Sequence, residues 1–311
     1  LGADCVAHAR LFFNRPDGRL QMLYRLGYSG NGDWFLAEYD GASTSWKILG
    51  KLFAKEGVYE NSKSRCAYPN PMRYSANPDG SNPRLHATWC WRERPEGGPY
   101  NLRTNHDILY AYSDDFGRTW KNGAGDTIAT LGQSAITIDS PGTVAAKTRF
   151  MHGQMNQNTQ YIDSKGRVHT ISWHRPPEEK EPSVDLNTWR YYHYWRDESG
   201  KWHEQQLPLV GRKPQIVLDN AGNLFLLHTR GDNRNYHKTE PGGTLTLAMA
   251  TEAGGWQDWK TLWQAPWTAV GEPLLDVPRW QREGILSVYQ QQKPTAPGKP
   301  STLHVLDFSA K

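Results

Sequence analysis

Short apolar strands, each preceded by a turn, recur along the chain of 311 residues. One set of strands follows turns rich in Gly, Asp, Asn and Lys, and its members lie at 16–25, 82–92, 164–175, 221–230 and 282–291. The strands of a second set alternate with those of the first, and each leads to a Trp or to another residue that ends the strand. They lie at 35–46, 108–120, 191–202, 245–259 and 303–310. No stretch keeps apolar residues at helical spacing for three turns. The pattern predicts an all-β chain with five repeats of one hairpin-pair unit.

A repeat of this size cannot bury both faces of its sheet alone. Stacking the repeats around an axis solves the problem, as in β-propellers of four-stranded blades. The composition agrees, because 14 Trp and 15 Tyr suit pleated surfaces while 29 Gly and 20 Pro end strands. We therefore expect a single β-propeller domain over residues 1–311, with five countable blades.

The net charge of +4 favours anionic partners, but the basic residues are scattered and form no run of Lys and Arg. We therefore expect no nucleic-acid partner. No membrane partner is expected either, because no apolar run has the length of a membrane span, and no signal peptide is recognisable. Cys5, Cys66 and Cys90 fit neither a disulfide scaffold nor a zinc site, because no two of them have C-x-x-C spacing. A structural calcium or zinc ion is left open, and we expect a monomer.

Residues 113–120 read Ser-Asp-Asp-Phe-Gly-Arg-Thr-Trp and fit S-x-D-x-G-x-T-W, the Asp-box of sialidase-type propellers. The pattern predicts a hairpin turn in which the Asp115 side chain caps backbone N–H groups, Gly117 adopts a positive φ and Trp120 packs under the turn. Such a box marks an outer turn of the fold, so we expect no chemistry at Asp115.

Arginine ends the first strand of four repeats, at Arg25, Arg92, Arg175 and Arg230. Equivalent positions in a propeller face the same end of one axis, so several of these side chains are expected at one mouth of a central cavity. Guanidinium groups that lie close together repel unless an anion is present, and arginine binds carboxylates and sulfates bidentately. The alternative is a local ion pair at each strand end, such as Arg92 with Glu93. The set of four favours an anion site.

Groups that can move protons are expected around this mouth. Tyr68 opens the strand before the one that carries Arg92, although most such tyrosines are packing residues with a solvated hydroxyl. His106, in the run Asn-His-Asp, follows a long loop that would overhang the mouth, although the run could also merely cap a turn. His169 occupies the position that His86 has in another repeat, and a satisfied core histidine is the alternative for both.

Further residues are candidates for binding sugar. Asn156 offers a neutral hydrogen-bonding group on another approach strand. Arg279 either reaches the cavity or pairs with Asp276, and the sequence leaves both open. The glycine-rich run at 27–33 leads into a strand, so it lacks the helix N-terminus that would hold a phosphate. We interpret this run as a long loop near the ligand.

Several stretches together resemble the BNR-repeat polysaccharide lyases. They include CAYPNP at 66–71, LHATWCWRE at 85–93, TNHDILYAYSDDFGRTW at 104–120 and GEPLLDVPRWQREGILSVYQQ at 271–291. The likeness runs over nearly the whole chain, with the motifs in the same order. Members of this family, which includes ulvan lyases and rhamnose–glucuronate lyases, are seven-bladed propellers. The resemblance implies β-elimination at a uronic acid.

The resemblance also implies roles for individual residues. Tyr68 is similar in position to the family's tyrosine, the base for the C5 proton or the acid for the leaving O4. Arg92 is similar to the family's carboxylate-binding arginine, and with Asn105 it would neutralise the carboxylate and stabilise the enolate. No cofactor is required for this chemistry. A secreted or periplasmic location follows from the polymeric substrate.

The chain departs from the family in one respect. Members usually carry a histidine pair in an N-terminal blade, and neither histidine is found here, while five blades are countable where the family has seven. We therefore expect either a fragment that lacks N-terminal blades or a smaller propeller that has lost or moved its base. His106 is the resident substitute for that base.

The leading hypothesis is a lyase that cleaves at O4 of glucuronate in ulvan-like or rhamnoglucuronan polymers. One alternative is a non-catalytic propeller lectin, in which the same arginines bind an acidic polysaccharide without turnover. Another is a sialidase-like glycoside hydrolase. The Asp-box alone indicates this last function, and the Arg-Ile-Pro motif expected near the N-terminus is missing from the sequence.

Overall fold

The computed structural model describes residues 7–76, 81–98, 104–156, 159–178, 188–230 and 242–309. Nearly all regular structure in these ranges is β-strand, and the one helix found there has 7 residues. The all-β prediction is confirmed. Within the same ranges, no helix combines the length and the apolar character needed to cross a lipid bilayer. Cys5 lies outside the described residues.

The chain forms two compact units. The first contains residues 1–157 and 196–202, and the second contains residues 158–195 and 203–311. Six of the candidate residues for catalysis and binding belong to the first unit: Arg25, Tyr68, Arg92, Asn105, His106 and Asn156.

The first unit is built on an 11-stranded sheet. Its first four strands form an antiparallel meander: β1 (Ala7–Asn14), β2 (Leu20–Tyr28), β3 (Asn31–Asp40) and β4 (Ser45–Phe53). The other strands are β5 (Ser62–Pro69), β6 (Arg73–Ser75), β7 (Arg84–Pro95), β8 (Asn105–Ser113), β9 (Thr119–Lys121), β10 (Thr127–Thr130) and β11 (Val144–Ala146). A single parallel pairing of Gly32 with Cys66 joins β3 to β5, so the two antiparallel groups form one sheet.

The second unit contains two further sheets. One has the order β12 (Thr159–Ile162), β13 (Val168–His174), β14 (Arg190–Arg196) and β15 (Trp202–Gln206). The other has the order β16 (Arg212–Leu218), β17 (Leu224–Arg230), β18 (Gly242–Ala250), β19 (Lys260–Leu275), β20 (Ile285–Gln292) and β21 (Leu303–Ser309). The helix α1 (Val277–Glu283) lies between β19 and β20 along the chain.

The two alternating sets of strands predicted from the sequence are both present. The first set corresponds to β2, β7, β13, β17 and β20, and the second to β3, β8, β14, β18 and β21. In every repeat the two strands are hydrogen-bonded neighbours in a sheet. The repeat can be recognised in the amino-acid sequence because the turn residues and the apolar runs recur in a fixed order.

The glycine-rich run at 27–33 is a tight hairpin, and its interpretation as a long loop was wrong. Tyr28 pairs with Asn31 and Gly27 pairs with Gly32, which leaves Ser29 and Gly30 as the two turn residues. Gly30 has φ +75°, a conformation that a two-residue hairpin turn commonly requires and that glycine adopts without strain. The turn therefore holds residue 29 at a fixed position at the end of β2.

Large aromatic side chains fill the core of the first unit. Trp34, Trp89, Trp91 and Trp120 are fully buried, and the ring of Phe53 lies 4.7 Å from that of Trp89. These residues come from β3, β4, β7 and β9, so the core fixes the central strands of the sheet against one another. Buried aromatic residues of this size contribute strongly to stability because each removes a large apolar area from water.

The turn at 113–120 has the geometry expected from its sequence. The Asp115 carboxylate accepts hydrogen bonds from the backbone N–H of Arg118 at 3.0 Å and of Thr119 at 2.8 Å, and from the Ser113 hydroxyl at 2.7 Å. Gly117 has φ +87°, and the buried Trp120 indole donates to the Gly117 carbonyl at 3.0 Å. Among the described residues, every hydrogen-bond partner of Asp115 lies within the turn, so its role there is structural.

For His86, the structure agrees with the alternative of a satisfied core histidine. Its ring is buried between β6 and β8, with Nδ1 2.9 Å from the Tyr110 hydroxyl and Nε2 2.8 Å from the Ser75 hydroxyl. Burial, with a smaller contribution from the charge of Arg84, lowers the pKa of His86 from 6.5 to about 3. The ring is therefore neutral in the folded protein at any pH near neutrality.

Replacing Asp115 with Ala should lower the free energy of unfolding, because several buried or partly buried donors lose a charged acceptor. We expect a loss of about 1–3 kcal/mol in urea unfolding of Asp115→Ala. Asp114→Ala is the matched control: Asp114 pairs with Arg84 at the surface at 2.7 Å, and the expected loss is at most about 1 kcal/mol. Equal losses in the two variants would contradict the capping role of Asp115.

His86 should make the fold sensitive to acid. The unfolded ring binds a proton as the pH falls through 6.5, whereas the folded ring does so only near pH 3, so stability is lost as the pH falls between these values. Between about pH 7.5 and about pH 4.5, the wild type should therefore lose about 2–3 kcal/mol more unfolding free energy than the His86→Gln variant. Parallel curves of unfolding free energy against pH for the two proteins would exclude this contribution.

Candidate functional site

Tyr68, Arg92 and Asn105 lie side by side on one face of the first unit's sheet. In the antiparallel pairing of β5 with β7, Arg92 is opposite Cys66 and Tyr68 is opposite Cys90. Across β7 and β8, Arg92 is opposite Asn105. Because directly paired residues point to the same face of a sheet, the three predicted side chains share that face.

The Arg92 guanidinium is the centre of this group. Its Nε donates to the Asn105 carbonyl oxygen at 2.7 Å, and its Nη1 donates to the Tyr68 hydroxyl and to the Ser29 hydroxyl, both at 3.0 Å. The guanidinium carbon lies 4.4 Å from the centre of the Tyr68 ring. The Asn105 amide nitrogen donates to the Gln154 carbonyl at 2.7 Å, which fixes the amide so that its oxygen faces Arg92.

Arg25 reaches the same tyrosine from β2. Its guanidinium carbon lies 5.7 Å from the centre of the Tyr68 ring, and its Nη1 lies 3.5 Å from the Cys66 sulfur. Gly32 packs beneath its side chain, since a Cβ built at Gly32 would lie 3.0 Å from the Arg25 Cδ. Two of the four predicted arginines therefore converge on Tyr68.

The two guanidinium groups on this face meet only neutral partners in the described parts of the chain. The partners are the Cys66 thiol for Arg25, and an amide and two hydroxyls for Arg92; no carboxylate of the described residues lies within 4.0 Å of either. Arg25 and Arg92 are each only 9% exposed. Two poorly hydrated cations without a counterion favour the binding of an anion.

Glu93 does not pair with Arg92, because it points to the opposite face of the sheet. There its carboxylate is held by the Arg65 guanidinium through two hydrogen bonds of 2.9 and 3.0 Å, with both side chains fully buried. The local ion pair considered as the alternative for Arg92 is therefore contradicted. The carboxylate that could have neutralised Arg92 is taken by a different arginine.

His106 lies on the opposite face with Glu93, apart from Tyr68 and Arg92. Its Nε2 is 3.2 Å from the Glu93 carboxylate and its Nδ1 is 3.0 Å from the Asp107 carboxylate, while the Tyr59 ring stacks on it at 4.0 Å. The side chain has no exposed surface. Burial opposes the charged form, but the hydrogen bonds to Asp107 and Glu93 outweigh it and raise the pKa of His106. The ring is part of a closed ion cluster.

Asn156 follows a segment that runs along the site. The Gln154 carbonyl accepts the hydrogen bond from Asn105, and the Met155 carbonyl lies 3.7 Å from the Cys90 sulfur. Asn156 itself is partly buried. The structure thus places this candidate two residues beyond a direct partner of the site.

The other four candidates lie in the second unit: His169, Arg175, Arg230 and Arg279. His169 is fully buried, with Nδ1 2.9 Å from His193 Nε2 and Nε2 3.4 Å from the Asp163 carboxylate. Burial is the main cause that lowers the pKa of His169, and the ring has the contacts of a satisfied core residue. Arg175 is buried just after β13, and Arg230 is exposed at the end of β17. A ring of four arginines stays a prediction.

Arg279 forms local ion pairs at the surface of the second unit. It donates to the Asp307 carboxylate at 2.9 Å and to the Glu283 carboxylate at 3.0 Å, and its Nη1 also donates to the Ser287 hydroxyl at 2.7 Å. Asp276 instead caps α1 by accepting from the backbone N–H of Arg279 at 2.9 Å. The side chain thus connects α1 to β20 and β21, and these contacts favour a structural role over a role in the site.

Ser29 belongs to the site and was not predicted individually. Its hydroxyl contacts both Arg92 and Tyr68 from the hairpin turn between β2 and β3. The sequence indicates only the region, because it predicts that the glycine-rich run at 27–33 lies near the ligand. A single residue could be selected only once the turn was known to contain two residues rather than a long loop.

No group of three or more His, Cys, Asp and Glu side chains that could hold a metal ion occurs in the described ranges. The candidate site is instead made of guanidinium, phenol, hydroxyl and amide groups. Such groups can bind an anion, form hydrogen bonds to a sugar and transfer a proton at the phenol.

Several solved structures with a similar fold are carbohydrate-processing enzymes. The chain is similar to the polysaccharide lyase Uly1, with a TM-score of 0.66 and 16% identity, over 97% of this chain and 58% of that one. It is also similar to a PL25 ulvan lyase bound to -[GlcA(1-4)Rha3S]-, with a TM-score of 0.63 and 12% identity, over 97% of this chain and 66% of that one. The α-L-arabinanase of Penicillium chrysogenum, complexed with arabinobiose, gives a TM-score of 0.55 at 12% identity, over 96% of this chain and 76% of that one.

These identities are low, so the likeness establishes the fold alone. The chain spans 58% and 66% of the lengths of the two lyases. No curated protein sequence is significantly similar to it. Residues 10–209, well over half of the chain, match the model of the BNR repeat-containing family. The chain, with its recurring strand pairs, therefore belongs to the BNR repeat-containing family.

Proposed function

We propose that the chain is a polysaccharide lyase on a β-propeller scaffold, which cleaves the bond at O4 of a glucuronate residue by β-elimination. Its substrates would be ulvan-like or rhamnoglucuronan polymers. The observation that carries the proposal is the pair of buried guanidinium groups, Arg25 and Arg92, that flank Tyr68 with only neutral partners in the described chain. The similarity in fold to two polysaccharide lyases supports it.

In this proposal the uronate carboxylate binds between Arg92 and Arg25. The Nη2 of Arg92 donates to no acceptor among the described residues, so it can donate to the substrate, while the Nε of Arg25 is buried without an acceptor. The two positive charges neutralise the carboxylate and make the proton on the adjacent C5 easier to remove, because the resulting enolate is stabilised where its charge develops.

Tyr68 is the group that moves a proton at this face. The C5–H bond breaks and its electron pair forms the C4=C5 double bond, while the C4–O4 bond breaks and O4 gains a proton. Tyr68 would take the proton from C5 or supply the one to O4. Its hydroxyl lies 3.0 Å from Arg92, so the phenol is beside the guanidinium that holds the carboxylate.

Asn105 acts through Arg92 in this scheme. Its oxygen already accepts from Arg92 and its nitrogen already donates to Gln154, so the amide orients the guanidinium and is not available to bind the carboxylate as first expected. His106 is not assigned the role of base, because it is buried on the other face with both ring nitrogens beside carboxylates.

A non-catalytic lectin is the second candidate. It is favoured because Tyr68 is the only described group on this face to which a direct proton transfer with the sugar is assigned, whereas β-elimination needs both a base and an acid. In either case the proposed partner is an acidic polysaccharide or oligosaccharide, and the proposed protein is a monomer without a resident cofactor. A secreted or periplasmic location is proposed from the polymeric substrate. A sialidase-like hydrolase has the least support, because it rests on one turn motif.

Incubation with ulvan or a rhamnoglucuronan should release products that absorb in the ultraviolet through the new C4=C5 bond conjugated to the carboxylate. Arg92→Ala should lower the rate about 100- to 1,000-fold, because charge on the enolate loses its main donor. Tyr68→Phe should abolish turnover while binding, measured by calorimetry, persists.

The controls separate the lyase from the lectin. A polymer whose carboxylates have been reduced to alcohols should be neither bound nor cleaved. The contrary result is that the wild type binds the native polymer tightly and yet gives no rise in absorbance at high enzyme concentration. That result would exclude lyase activity and support a non-catalytic lectin.

His106→Gln should retain most of the lyase activity, since His106 does not reach the proposed site. The variant should lose about 1–3 kcal/mol of unfolding free energy, because Glu93 and Asp107 lose a charged donor. Activity and thermal unfolding measured on the same preparation test this. Full loss of activity with unchanged stability would instead show that His106 takes part in catalysis.

A further inference from the structure

Ser29 contacts both Tyr68 and Arg92 from another hairpin, the turn between β2 and β3. Its Oγ lies 3.0 Å from the Tyr68 hydroxyl and 3.0 Å from the Arg92 Nη1. Ser29 is partly exposed, whereas Tyr68 is only 6% exposed. The serine therefore lies between the buried phenol and the solvent.

The hydrogen bonds that Ser29 accepts determine the direction in which its own hydroxyl can donate. A serine hydroxyl has one donor and two acceptor positions. The Tyr68 O–H and the Arg92 N–H both donate to Ser29 Oγ, which uses its two acceptor positions. In the described parts of the chain no side chain or backbone oxygen accepts the Ser29 O–H. Its proton is thus directed away from the buried pair.

We propose that Ser29 is a positioning residue that relays a proton between Tyr68 and the solvent. The inference rests on the proposed function for its effect on turnover, but the relay itself is a property of the free protein. The Tyr68 O–H bond breaks and its proton passes to Ser29 Oγ, while the original Ser29 proton passes to a water molecule. The products are a tyrosine phenolate and a protonated water, and the reverse transfer restores the phenol.

The relay is needed because Tyr68 is buried. If Tyr68 takes the C5 proton, that proton must leave before the next cycle, and if Tyr68 protonates O4, a proton must return. The face that meets the substrate is covered by the sugar while it is bound, so the hydroxyl on the hairpin provides a separate route. The tight turn at Ser29 and Gly30 holds this route in place.

Three variants test the relay in the full chain. Ser29→Ala removes the hydroxyl, Ser29→Thr keeps it, and Ser43→Ala is the matched control in the next hairpin turn, where the Ser43 hydroxyl donates to Asp40 at 2.7 Å. For Ser29→Ala we expect kcat to fall about tenfold or more with little change in KM, as for loss of one proton-transfer group. Added imidazole should restore part of the rate, because a small proton carrier can replace the hydroxyl. Ser29→Thr and Ser43→Ala should resemble the wild type.

A second measurement needs no substrate. The ionisation of Tyr68 is recorded in the near ultraviolet as the difference between each protein and its Tyr68→Phe counterpart. In Ser29→Ala this difference curve should move to higher pH, because the phenolate loses a hydroxyl donor, and Ser29→Thr should restore it. An unchanged curve together with unchanged kcat would overturn the relay. A shifted curve in a protein that never produces the unsaturated sugar would support the relay and remove the proposed lyase.

A loss of kcat that Ser29→Thr does not restore and imidazole does not relieve would also overturn the relay. That outcome would mean that Ser29 only supports the shape of the turn. Circular dichroism and thermal unfolding of Ser29→Ala should match those of Ser43→Ala, so that a change in rate is not caused by a change in folding.

Discussion

The alternation of side chains along β7 is the constraint on which the candidate site depends. Arg92 and Glu93 are neighbours in the sequence, yet the strand sends them to opposite faces. A carboxylate next to an arginine along a strand therefore does not neutralise it. Glu93 is held on the other face by Arg65 and His106, and Arg92 keeps its positive charge among neutral groups.

The two faces of the sheet consequently have different electrostatic characters. On one face, Arg65, Glu93, His106 and Asp107 form a buried cluster in which acids and bases alternate, so the charges compensate one another. On the other face, Arg25 and Arg92 are not compensated by any described carboxylate. The compensated face fixes β5, β7 and β8, and the uncompensated face is free to interact with an anion. The compensated and the uncompensated charges thus lie on opposite faces of one sheet.

The sequence predicted the recurring strand pairs because turn chemistry and apolar runs are local signals. It also indicated Tyr68, Arg92 and Asn105 as candidate site residues, because the motifs that contain them occur in the same order as in the family they resemble. Their convergence follows from strand pairing, which the residue pattern alone does not reveal. The register shift between Trp89 and Trp91 adds an irregularity that alternation cannot anticipate. Arg279 was ambiguous because its main partner, Asp307, is 28 residues away.

The position of His106 follows from the alternation of side chains along a strand. Asn105 and His106 are consecutive residues at the start of β8, so they cannot both point toward Arg92. Once Asn105 was matched to the arginine, the histidine had to face the other side. Ser29, in contrast, could not be found in this way, because its position depends on the exact length of a hairpin turn.

The absence of a side chain at Gly32 determines how close Arg25 can lie to the sheet. A single methyl group at this position would meet the Arg25 Cδ at 3.0 Å and the Cγ at 3.1 Å, so the arginine would have to lie farther from the sheet. The guanidinium carbon, which lies 5.7 Å from the centre of the Tyr68 ring, would then shift with it. The spacing between the guanidinium and the phenol therefore depends on a residue that has no side chain of its own.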